Sequence, residues 1–175
     1  QPAYLLATEL HNSLPAALEI LSFLNAEGLD GKILHGEMEE LVAEIEELAE
    51  YKRVRDSIAA ARLGVIGKPS DWLIGSQVDY EHAAHHWGTE FVDIEMDELY
   101  QALEKVDSAK AKRIAADFLE NAAEIVESNE ADLVEAAEIY LALKEVITNN
   151  DLDVLTIRCF DIVMELNTTG CLALA

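Results

Sequence analysis

Five short apolar runs punctuate this chain, separated by long stretches with helical spacing. The runs are Ala3–Ala7, Lys32–His35, Leu63–Ile66, Phe91–Ile94 and Val154–Ile157. Runs this short and continuous suit parallel strands, and the stretches between them suit crossover helices. The pattern predicts an α/β fold: a doubly wound, flavodoxin- or Rossmann-like three-layer sandwich with a mostly parallel sheet. It further predicts one domain over residues 1–175, built on a sheet of five or more strands with the first strand central and helices on both faces. Tyr4–Ala7, Leu63–Ile66 and Val154–Ile157 are expected to be largely buried, since parallel strands covered on both faces read as continuous apolar runs.

The intervening helices follow from spacing and end signals. Pro15 suits a first helical turn, with Asn12 or Ser13 as cap, and Gly28 ends that helix after Glu27. A second stripe, Met38, Leu41, Val42, Ile45, Leu48 and Ala49, has acids early and Lys52, Arg53 and Arg55 late, as the helix dipole prefers. A helix from Asp79 to about Trp87 precedes the fourth strand. Two longer runs follow it, one marked by Ile114, Phe118, Ala122, Ile125 and Val126. The other is marked by Leu133, Val134, Ala137, Tyr140, Leu141 and Ile147, and closes at Asn149 and Asn150. No internal repeat, low-complexity tract or linker interrupts the series.

Charge narrows the partners. Asp and Glu number 35 against 12 Lys and Arg, a net charge of −23. A surface that negative repels phosphate backbones and anionic headgroups, so neither nucleic acid nor a membrane is an expected partner. The same acidity suits a protein kept hydrated in a salty cytosol. No apolar run approaches the roughly 20 residues that span a bilayer, and no export signal opens the chain. Two cysteines, Cys159 and Cys171, are too few for a disulfide framework, so a reducing cytoplasmic setting is expected. The chain opens on Gln1 and ends inside an apolar run, Cys171–Ala175. Those ends predict a piece of a longer protein, with any site that begins at Asp161 incomplete.

Loops after the strands are where chemistry is expected, because ligands of open α/β sheets gather at the carboxyl ends of strands. Three such loops are Thr8–Ser13, Gly67–Trp72 and Arg158–Asp161. They supply His11, Asn12, Ser13, Ser70, Asp71 and Trp72 as candidates for lining a substrate pocket. The plainer alternative is that Asn12, Ser13 and Asp71 cap helices and satisfy turns. Asp161 is the candidate for catalysis and for metal binding, since a strand-end carboxylate can hold Mn²⁺ or Mg²⁺ and accept a proton. One carboxylate is not a metal site, and two further ligands would have to come from elsewhere. His82 and His86 stand four apart on one helix and could face a metal, but Glu81 precedes them, so the segment is not HExxH. The plainer reading is a solvated face with one His against Trp87. No GxGxxG, Walker or GxSxG motif is present.

Three blocks carry a resemblance. They are Leu5–Thr8 with His11–Glu19, Gly64–Ile74, and Arg158–Asp161 with Thr168–Leu174. In this order and spacing they resemble the L-fucose isomerase and L-arabinose isomerase superfamily, closest to its fucose-isomerase-like members. The resemblance implies the middle α/β domain of a multi-domain, homo-oligomeric enzyme that interconverts aldoses and ketoses through an ene-diol. It also implies Mn²⁺ or another divalent cation held by two acidic side chains and a His. Asp161 is the position that matches the first acid, where the named sugar isomerases carry a Glu with longer reach. The second acid and the His would lie beyond Ala175, in missing domains of the same protein, and no tightly bound cofactor is expected in this chain alone. The partner implied is a small-molecule sugar. An alternative within the same resemblance is a non-catalytic sugar-binding or assembly module.

Overall fold

Strand and helix alternate as far as β4, three helices then precede β5 and two follow it, and every strand pair is parallel, in a computed structural model that describes residues 2–75 and 77–174. The fold is α/β, with short parallel sheets flanked by helices, consistent with a three-layer sandwich. The chain forms two compact units, residues 1–55 and 56–175. Ala175, the end of the last apolar run, lies outside the described residues.

The first unit is a βαβ turn of the chain: β1 (Ala3–Leu6), α1 (Ser13–Ala26), β2 (Gly31–Leu34) and the start of α2 (Met38–Ala60). β1 and β2 pair in register from Ala3 opposite Gly31 to Leu6 opposite Leu34. α1 lies so close to β2 that a Cβ on Gly31 would meet Leu21 Cδ1 at 2.8 Å. Asn12 occupies the N-cap of α1 in a left-handed conformation and makes no side-chain cap bond. Ser13 Oγ instead accepts from the Thr8 N–H at 3.1 Å, which ties the turn back to the end of β1. No residue of α2 is buried, and Met38 of its predicted stripe is 73% exposed. The helix also runs on to Ala60, so Lys52, Arg53 and Arg55 do not form its last turn.

The second unit contains β3 (Arg62–Ile66), α3 (Tyr80–Trp87), β4 (Glu90–Ile94), α4 (Met96–Glu104), α5 (Ser108–Asn121), α6 (Glu130–Asn150), β5 (Val154–Ile157), α7 (Cys159–Leu166) and α8 (Cys171–Leu174). Its sheet runs β4-β3-β5. One face of that sheet carries the main core, where Ile66, Ile94, Leu99, Ile139, Leu143, Val146 and Ile162 pack together. Gly64 allows this closeness, since a Cβ there would meet Leu152 Cδ1 at 2.5 Å. A second cluster joins α5 to α6 through Leu133 and the alanines Ala111, Ala115 and Ala137, whose small size lets the two helices approach closely. Among the described residues no helix is long and apolar enough to cross a membrane.

Three expectations from the sequence need correction. The strands form two sheets, of two and three strands, rather than one sheet of five with β1 central. β3 is the central strand of the larger sheet, and it alone shows the continuous burial predicted for three strands. β1 and β5 alternate in exposure, with Leu6 at 60%, because each lies at a sheet edge and packs apolar side chains on one face. The stripe predicted through Val126 also ends early: α5 stops at Asn121, Ala122 turns extended, and Val126 lies 80% exposed in the connection to α6.

Candidate functional site

The carboxyl edge of the β4-β3-β5 sheet is drawn together by two hydrogen bonds that continue the ladders past the strand ends. Gly67 N–H donates to Ile94 O at 2.8 Å, and Arg158 N–H donates to Ile66 O at 2.9 Å. Gly67 is the pivot. Its φ is +86°, a left-handed conformation, and a Cβ there would meet Met96 Sδ at 2.6 Å and Arg158 Cβ at 3.0 Å. Lys68 follows at φ 58°, and beyond this turn Ser70 and Trp72 share a cleft with Thr156 and Ile157 at the end of β5.

A cleft of about 510 Å³ opens there. Leu63, Val65, Phe91 and Thr156 line it from the strands, alternating with the residues that face the main core. Tyr80, Trp72 and Phe160 line it from the surrounding helices and loop. The rings of Tyr80 and Phe91 stack 5.0 Å apart at 11°. Burial, followed by the charge of Asp93, holds the Tyr80 phenol above its usual pKa, so it stays neutral and can donate.

The polar lining consists of Lys68, Ser70, Thr156, Arg158 and Cys159, with the Tyr80 hydroxyl. Ser70 is buried, whereas Trp72 is 68% exposed. Arg158 Nε donates to Asp161 Oδ1 at 2.9 Å across one turn of α7, and both side chains are about a third exposed. Lys68 Nζ lies 3.4 Å from Glu95 Oε1 in a far more exposed pair. Behind α7, Tyr100 Oη is shielded from solvent. Its pKa is pushed up to about 12, first by burial, then by its interaction with the Glu165 carboxylate as hydrogen-bond acceptor and charge, and least by the charges of Asp161 and Asp97.

The residues singled out in the sequence fall into three groups. Ser70 and Trp72 line the cleft. Asp161 stands in the first turn of α7 beside it, joined to the lining through Arg158. Asp71 sits exposed in a turn, neither lining the cleft nor capping a helix; the cap of α3 is Asp79, whose Oδ1 accepts from His82 N–H at 3.0 Å. His11, Asn12 and Ser13 belong to the turn after β1 in the first unit, where His11 and Asn12 both take positive φ. The edge thus gathers two of the three predicted loops, 67–72 and 158–161. His82 and His86 are exposed on α3, and the His86 ring meets Trp87 edge-on at 4.9 Å.

Arg158, Lys68 and the Tyr80–Phe91 stack went unnoticed in the sequence. The i, i+3 spacing of Arg158 and Asp161 at a helix start was the available signal for the first of them. The donors do not suit a metal as they stand. Among the described residues no group of three or more His, Cys, Asp or Glu is placed to hold one, and Asp161 is already engaged by an arginine. No protein-family model and no curated protein matches this chain.

Proposed function

We propose that the chain forms one wall of the sugar pocket of a metal-dependent aldose–ketose isomerase of the L-fucose and L-arabinose isomerase kind. The observation that carries this reading is the meeting of the 67–72 and 158–161 loops at the carboxyl edge of a parallel sheet, beside a ring-lined cleft. Aromatic faces such as Trp72 and Phe160 suit the C–H face of a sugar, and Ser70, Tyr80 and Arg158 suit its hydroxyls. Mn²⁺ does not fit the described residues alone, since among them no three His, Cys, Asp or Glu side chains are grouped to hold an ion, where a hard cation takes about six ligands. The remaining ligands belong, on this reading, to other domains of a homo-oligomeric parent, and this chain's own part is to bind and orient the sugar. The two free cysteines support a reducing, cytoplasmic setting. The pairing of Asp161 with Arg158 favours a second reading, a sugar-binding or assembly module without catalysis.

The test is a titration of the chain with L-fucose and L-arabinose followed by amide chemical shifts. Saturable shifts confined to residues 67–72 and 156–161 are expected. Asp161→Asn should weaken binding by about tenfold through loss of a charged hydrogen-bond acceptor and of the partner that orients Arg158. Asp71→Asn should change it by less than about twofold, because an exposed turn residue outside the lining contributes little. Ketose formation by this chain alone under saturating Mn²⁺ would overturn the shared-site reading. Shifts scattered over the surface, or none, would remove the sugar pocket.

A further inference from the structure

We infer that the cleft of the second unit takes a sugar that carries an anionic group, with Arg158 and Lys68 receiving the charge. The inference rests on the sugar-pocket reading and specifies its substrate class.

The charge of the lining is the first observation. Acids outnumber bases 35 to 12 in the whole chain, yet the charged residues lining the cleft are Lys68 and Arg158, with no carboxylate among the described lining residues. Asp161 and Glu95 pair with these two cations from outside the lining, so the cleft presents cationic donors where the rest of the molecule presents acids. The state of the Arg158 guanidinium is the second. Its Nε donates to Asp161 Oδ1 at 2.9 Å, and Asp161 is the acid that pairs with it. One carboxylate cannot use all five N–H donors of a guanidinium, so Asp161 orients the fork and leaves donors for the paired oxygens of a phosphate, carboxylate or sulfonate. Lys68 adds a point charge from the neighbouring loop, and its pair with Glu95 is exposed enough to exchange readily for a ligand. The apolar and aromatic remainder of the lining suits the uncharged body of the same molecule.

The experiment uses Trp72 as reporter, in a chain carrying Trp87→Phe so that a single indole remains. Fluorescence is titrated with D-arabinose 5-phosphate against D-arabinose, D-glucuronate against D-glucose, and inorganic phosphate alone. At least one charged sugar should bind about tenfold or more tightly than its neutral counterpart, the size of a charge-assisted hydrogen bond. Which pair shows the larger ratio separates a phosphate from a carboxylate ligand. Arg158→Gln should abolish the ratio, and Arg158→Lys should keep part of it, because charge survives while the fork is lost. Unchanged far-ultraviolet circular dichroism in both variants excludes unfolding as the cause. Equal affinity for charged and neutral sugars would overturn this inference and leave the sugar pocket standing. Arg158-dependent binding of phosphate with no sugar response would keep the anion subsite and remove the sugar reading. A silent Trp72 with every probe would sink both.

Discussion

Tyr100 shows how a single group can record its surroundings. Its hydroxyl is shielded from solvent, the Glu165 carboxylate is its nearest polar neighbour, and the charges of Asp161 and Asp97 lie further off. Ionisation there is disfavoured by lost hydration first, then by the hydrogen bond the neutral phenol gives Glu165 and by like charge, so the folded pKa of about 12 stands above the usual 10.0. The linkage sign follows. Below pH 10 the phenol is neutral in both states and contributes no pH dependence. Between 10 and 12 the unfolded chain releases the proton and the folded chain does not, so stability falls as pH rises. Tyr100→Phe should remove that part of the slope, seen in urea unfolding measured from pH 9 to 12. At neutral pH the variant should lose no more than about 1–2 kcal/mol, the scale of one hydrogen bond to a carboxylate. Parallel pH profiles for parent and variant would contradict the account. At this scale the sequence was partly legible. Ser70, Trp72 and Asp161 were found by their position after strands, a backbone rule. Arg158's ion pair had a local signal in its i, i+3 spacing, but the surroundings of Tyr100 depend on α7 residues some sixty positions away, which no local pattern encodes.

Among the elements, α6 illustrates both the strength and the limit of local signals. It begins at a complete capping box: Asn129 Oδ1 accepts from the N–H groups of Ala131 and Asp132, and Asp132 Oδ2 accepts from the N–H of Asn129 at 2.8 Å. The helix then carries Ile139, Leu143 and Val146 into the main core, so fraying at its start is felt by the whole unit. Asn129→Ala should cost about 1 kcal/mol, and Asn129→Ser far less, because Ser can also cap. Chemical denaturation of the three proteins measures both. Equal loss in the two variants would mean that the amide acts through something other than capping. β5 was legible to its last residue, as an apolar β-branched run between turn residues. The end of α5 was not. Ile125 and Val126 continue the periodicity of the preceding helix, but periodicity cannot tell where the backbone leaves the helix when neither Gly nor Pro marks the place. The division of five strands into two sheets was equally hidden, since an apolar run specifies a strand and not its neighbour.

Across the whole molecule, burial is distributed very unevenly between the two units. Ala7, Ala17 and Leu34 are the buried hydrophobics of the first, whereas the second holds every fully buried large side chain, including Ile66, Leu99 and Ile139. Local opening costs least where few apolar contacts are broken, so amide exchange should follow that division more closely than it follows helix length. α2 is the decisive element. At 23 residues it is the longest helix described, longer than α6 at 21, yet it buries no side chain while α6 buries seven. If propensity and length governed protection, α2 would exchange at least as slowly as α6. If tertiary burial governs, α2 amides in residues 42–54 should exchange orders of magnitude faster than those of residues 139–146 in α6. Hydrogen–deuterium exchange at neutral pH, read by peptide mass, distinguishes the two directly. Comparable protection in α2 and α6 would show that the face of Val42 and Ile45 is covered in solution, and that burial in this chain is more even than its structure describes.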